Sequence, residues 1–166
     1  MTNTLLETIL QDSFIKTIAL KKVTGLKDYL LTKVFSPSKQ GPPITGITDD
    51  REITSWILSL DPVVLSKINQ QNIYSIFDQL EKDIKAIEPL MIYLPYELPA
   101  EQIAKIGQKL REDYNNKFLL DIQINPALIA GAALSYRGIY RDYSVRQSIS
   151  DQREAILATF RKYIKH

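Results

Sequence analysis

Apolar residues in this chain keep helical spacing as far as Pro89 and strand spacing after it, and this change of period limits the open folds more than any other feature. Before the switch, Ile73, Ile76, Phe77, Leu80, Ile84 and Ile87 recur at steps that place them on one helix face. After it, Leu120, Ile122 and Ile124 alternate with Asp121 and Gln123, the period of a half-buried strand. The expected fold class is therefore α+β. A small helical bundle over residues 1–88 precedes a small α/β domain over 89–166, in the order strand, helix, strand, hairpin, helix.

In the first half, Thr4 and Glu7 have the spacing of a capping box, and Leu6, Ile9, Leu10 and Ile18 follow on one face, which predicts a single amphipathic helix. Gly25 is expected to end that pattern, before a shorter segment carrying Leu26, Tyr29, Leu30 and Val34. Ser36 to Gly46 collects prolines and glycines and reads as a loop. Ile53, Trp56, Ile57 and Leu60 predict a helix from Asp49, Asp61-Pro62 reads as an N-cap and first helical residue, and another helix runs from about Asn72. Four or five helices result.

In the second half, Leu90 to Leu94 between Pro89 and Pro95 reads as a strand. Pro99 and Glu101 open a helix with Ile103, Ile106, Leu110 and Tyr114 on one face. After Asn125-Pro126 the run ALIAGAALSY is expected as a strand that turns at Arg137-Gly138 and returns through IYRDY. Ser144 and Gln147 form a second capping box, opening a terminal helix with Val145, Ile149, Ile156, Phe160 and Tyr163.

Composition narrows the chemistry. None of the 166 residues is Cys, and the single His is His166. Disulfides, thiolate metal sites and cysteine nucleophiles are ruled out, and His166 is too terminal to serve as a positioned base. Lack of Cys also fits a reducing compartment. Neither a Gly-x-Ser-x-Gly elbow nor a Gly-rich phosphate loop ending in Lys-Ser/Thr occurs. Asp49-Asp50 stands at a helix start, where carboxylates serve the dipole far more often than a metal. No catalytic residue, cofactor or metal ligand is expected.

Residues 1–48 carry 6 basic and 3 acidic side chains, 49–88 carry 4 and 8, and 89–166 carry 11 and 8. An acidic middle between basic ends suits protein partners better than a continuous nucleic-acid footprint. Tyr136, Tyr140 and Tyr143 interleaved with Arg137, Arg141 and Arg146 leave a competing reading, a surface that stacks single-stranded bases; a helical adaptor of another kind is a second alternative. The longest uncharged, mostly apolar stretch, Ala127 to Leu134, is well short of the ~18 residues of a membrane span, and no cleavable leader is expected at the Thr/Asn-rich start.

The run INPALIAGAALSYRGIYRDYSVRQSI, Ile124 to Ile149, resembles the C-terminal signature of the delta subunit of F-type ATP synthases, the oligomycin-sensitivity-conferring protein family. The matching positions are Asn125, Pro126, Leu128, Ile129, Ala130, Gly131, Asp142, Ser144, Val145 and Arg146, with no gap from Ala130 to Arg146. Upstream, a strand, a helix with a PAEQ-like start and a second strand extend the likeness over about Leu90 to Leu157. The family has Gly-Gly where this chain has Ala130-Gly131, and a small residue where it has Tyr143. Leu5 to Ile18 lacks the Ala/Tyr-rich pattern that opens the family's six-helix N-terminal domain.

The resemblance implies a non-catalytic stator subunit that links the F1 head to the peripheral stalk and resists rotor torque during proton-driven ATP synthesis. Residues 1–88 would meet the ATP synthase alpha subunit and 89–166 the b-type stalk subunits. The chain would sit peripherally on the cytoplasmic face of a bacterial membrane, reached only through the complex, with no nucleic acid and no cofactor. From the residues themselves, Gly131 fits a bulge or close backbone approach, Asp142 favours exposed helix amides, Ser144 caps, and Arg146 is placed to pair back to Asp142. Ile149, Ile156 and Phe160 are the candidate stalk contacts.

Overall fold

Asp50 and Asp61 each open a helix in the computed structural model, which describes residues 2–35, 50–114 and 118–164. The Asp50 carboxylate accepts the amides of Glu52 and Ile53 at 3.0 and 3.4 Å, and that of Asp61 accepts the Val63 amide at 2.8 Å. These caps satisfy donors that a helix start leaves without partners. The chain divides into two compact units, Met1–Ile87 and Glu88–His166.

The first unit contains, among the described residues, α1 (Thr2–Gln11), α2 (Lys16–Phe35), α3 (Arg51–Ser59), α4 (Pro62–Ser66) and α5 (Ile73–Ala86). Leu5, Ile9, Val23, Leu26, Phe77, Leu80 and Ile84 are almost wholly removed from solvent. Each such side chain contributes about 1.5–3 kcal/mol through burial. Lys16 at the start of α2 donates to the Lys85 and Ile87 carbonyls at 2.9 and 2.7 Å, satisfying acceptors at the end of α5.

Three expectations for this unit are corrected. Thr4 lies inside α1 rather than capping it, and the expected single helix stops at Gln11 and restarts at Lys16. The break is held by long-range bonds. The Asp12 carbonyl accepts Lys22 Nζ at 2.7 Å, its carboxylate accepts Trp56 Nε1 at 2.9 Å, and Lys22 Nζ lies 5.0 Å from the Trp56 ring centre. Gly25, expected as a stop, sits within the unbroken α2. A Cβ there would lie 2.8 Å from Ile53 Cγ2, so this glycine permits close packing of α2 on α3. The loop expected over Ser36 to Gly46, with Asp49, His166 and the side chains of Val34, Tyr114 and Tyr163, lies outside the described residues.

The second unit comprises β1 (Leu90–Leu94), α6 (Ala100–Tyr114), β2 (Leu120–Ile124), a 3-10 turn (Pro126–Leu128), β3 (Ala133–Tyr136), β4 (Ile139–Asp142), α7 (Val145–Asp151) and α8 (Arg153–Ile164). The sheet order is β2-β1-β3-β4. β1 and β2 are parallel, as their helical crossover requires, and the other pairs are antiparallel. Ile92 stands opposite Ile122 and Leu134, so Leu90, Ile92, Leu94, Leu120 and Leu134 share one face. Arg137 and Gly138 take φ of 49° and 76°, the double positive-φ turn that suits the twist of a two-residue hairpin.

Three details differ from expectation here. Ile124, at the end of β2, is 45% exposed, so burial fades along that strand. The run after Pro126 is a 3-10 turn followed by two positive-φ residues, and strand pairing begins only at Ala133. The terminal helix is divided at Gln152, which leaves helical geometry at φ −99°, ψ 7° while its amide bonds back to Ser148 and Ser150.

Candidate functional site

The matching residues of the signature gather into one backbone knot. Asn125 Oδ1 accepts the Ala127 amide at 3.2 Å and starts the 3-10 turn, with Pro126 at its first position, and the Asn125 amide donates to the Leu94 carbonyl at 2.6 Å. Leu128 is buried. The chain then reverses through Ile129 and Gly131, at φ 69° and 84°. A Cβ on Gly131 would lie 2.5 Å from the Tyr143 carbonyl oxygen and 3.0 Å from Ser144 Cα, which settles close backbone approach as the reason for glycine. On either side, the Tyr143 amide bonds to the Ala132 carbonyl and the Val145 amide to the Ala130 carbonyl, each at 2.9 Å. The segments 125–131 and 142–146 are thereby sewn together at the start of α7.

Asp142 and Ser144 divide the capping of α7 between them. Ser144 Oγ accepts the Gln147 amide at 3.2 Å, as expected, but Gln147 does not complete a reciprocal box: its side chain donates to Asp151. Asp142 takes the other arm, accepting the Ser144 amide at 2.8 Å. The Ser144 hydroxyl and then its amide hold the Asp142 carboxyl below the usual carboxylate value, with smaller help from Tyr140 and Arg146. Arg146 acts on Asp142 only through space; among the described residues no ion pair joins them, which corrects the expected pairing.

The candidate contacts are placed as follows. Val145 and Ile149 on α7 are 41% and 49% exposed, Phe160 on α8 is 60% exposed, and Ile156 is half-buried. Leu157 is also exposed, a residue the sequence reading passed over although it stands beside Phe160 on a helical wheel. In α8 none of the described side chains is buried. In the first unit an open cavity of about 610 Å³ is lined by Tyr29, Leu30, Ile57, Leu60, Leu65 and Ile68, between α2, α3 and α4.

The tyrosine and arginine run is divided between the two faces of the hairpin. Tyr136 pairs with Ile139 and Tyr140 with Ser135 across the hairpin, so the two rings point to opposite faces. Tyr140 packs on Tyr93 at 6.1 Å, Tyr136 packs on Phe118 at 6.4 Å, and Arg137 covers Tyr136 while reaching Glu88 at 3.8 Å. Among the described residues no three His, Cys, Asp or Glu side chains cluster as a metal would require, and no helix is long and apolar enough to cross a membrane. The arrangement offers surfaces for association.

The sequence profile of the ATP synthase delta (OSCP) subunit family matches residues 3–156. A search of curated proteins finds no match to the chain.

Proposed function

The chain belongs to the ATP synthase delta (OSCP) subunit family, whose members are structural, non-catalytic subunits of the synthase, and from that premise we propose that it joins the F1 head to b-type stalk subunits and resists rotor torque. The observation that carries this reading is the apolar surface of α7 and α8, where Val145, Ile149, Leu157 and Phe160 stand in solvent. Exposed apolar stripes at helical spacing suit the docking of another helix. The cavity between α2, α3 and α4 supports a second site, for an alpha-subunit helix on residues 1–88.

Two sites on one chain raise the effective concentration of each partner for the other, so modest single affinities give a slow combined off-rate. A stator needs that slow release, since its load returns with every catalytic step. The chain is held at the cytoplasmic face of a bacterial membrane only through this assembly.

The test is the binding of the full chain to the soluble part of its own b-type stalk subunits. Phe160→Asp should weaken that binding by about tenfold or more and leave the circular dichroism of the chain unchanged, because the ring contacts solvent. Equal binding by the variant would contradict the assignment of this face. Ile156→Asp is the less clean choice, since that side chain is half-buried.

A further inference from the structure

Ile129 combines a strained backbone with a side chain in solvent. Its φ of 69° and ψ of −59°, with the Ala130 amide bonded to the Leu128 carbonyl at 2.8 Å, make it the centre of a positive-φ γ-turn. That turn is rare and strained, and a β-branched residue suits it least. Glycine would adopt it freely. Yet the Ile129 side chain is 62% exposed, so burial within the chain does not repay the strain. Strain kept at a solvent-facing apolar residue points toward function. The bond from the Val145 amide to the Ala130 carbonyl holds this turn against the first turn of α7, beside the exposed Val145 and Ile149.

Charge indicates the chemistry that covers the patch. Elsewhere in this unit Lys105 pairs with Glu101, Lys109 with Asp113 and Arg137 with Glu88. Arg146, Arg153 and Arg161, on α7 and α8, form no ion pair among the described residues. Two acids of the same stretch are already engaged, Asp142 by the Ser144 amide and Asp151 by Gln147. Apolar knobs thus stand among arginines that make no ion pair, although Asp142 acts on Arg146 through space and Glu154 follows Arg153 in the first turn of α8.

We propose that Ile129, with Val145 and Ile149, is a strained anchor seated on the apolar stripe of an amphipathic helix whose flanking Asp and Glu residues pair with Arg146 and Arg153. The inference rests on the stalk reading above and gives its partner a chemistry: the helix comes from a stalk subunit and is acidic beside its apolar seam.

The discriminating variant is Ile129→Gly in the full chain, titrated with the soluble part of the b-type stalk subunits. Loss of an ordinary structural residue lowers stability; here the turn is relieved, so the thermal midpoint should hold or rise while binding weakens about tenfold. A paired Arg146→Glu, Arg153→Glu variant should bind at least tenfold more weakly at low salt and lose most of the wild-type salt dependence. A falling midpoint for Ile129→Gly, or wild-type binding by either variant, overturns the inference and leaves the stalk reading intact. Failure of the wild-type chain to bind the stalk overturns both.

Discussion

Gly131 lies so close to Tyr143 that a Cβ on the glycine would stand 2.5 Å from the tyrosine carbonyl oxygen. Neither atom belongs to a side chain able to rotate away, and φ at Gly131 is 84°. Gly131→Ala should therefore cost about 2–4 kcal/mol, ~1–2 from the left-handed backbone and the rest from the clash. Gly138 shares the positive φ but has nothing within 4 Å of its added Cβ, so Gly138→Ala should cost only the backbone part. Urea denaturation of both variants checks the order, with hydrogen exchange of β3, β4 and α7 amides to locate the loss.

Gly25 poses the opposite case, a glycine within a helix facing a side chain. Alanine gains about 1 kcal/mol of helix propensity, which offsets the displacement of the Ile53 methyl, so Gly25→Ala should leave stability within about 1 kcal/mol of wild type. Gly25→Leu forces α2 from α3 and should cost about 1–3 kcal/mol by overpacking. Thermal melts followed by Trp56 fluorescence, on the facing helix, report both.

Acid should act through Asp142. Its folded carboxyl titrates below the ordinary value, so its contribution to stability is complete above the unfolded value and fades as pH falls through the folded one. Denaturation midpoints measured from pH 6 to pH 2 should fall more steeply for wild type than for Asp142→Asn, which keeps an acceptor for the Ser144 amide but has no proton to take up. Parallel curves would remove the carboxylate from the acid response.

Lys22 is buried against Trp56, and that burial lowers its ammonium while Asp12 and Glu52 oppose the shift. The unfolded chain binds this proton more tightly, so Lys22 makes stability rise between the lowered folded value and the ordinary lysine value of 10.5. Lys22→Met should flatten that alkaline rise. At neutral pH it should cost about 1–3 kcal/mol, since the Asp12 carbonyl loses its donor. Guanidinium titrations at pH 7 and pH 10 measure both effects.

These residues also show where the sequence was legible. Caps and turns depend on near neighbours, so Asp61-Pro62, Ser144 and the Arg137-Gly138 hairpin could be read locally. The break after Gln11 could not, because Asp12 is held by Trp56, 44 residues away. Gly25 reads as a stop unless Ile53 is known to face it. The signature was recognisable as a pattern, but its apolar residues implied a strand. Only the Ala130–Val145 and Tyr143–Ala132 bonds show why the chain turns there instead of pairing as a strand.

Mechanical coupling is the most direct test of the whole account. Membrane vesicles carrying the synthase but stripped of this subunit should retain ATP hydrolysis by F1 yet fail to acidify on ATP addition, and the purified full chain should restore acidification. Vesicles that pump equally well with and without the chain would contradict its role as the link between head and stalk.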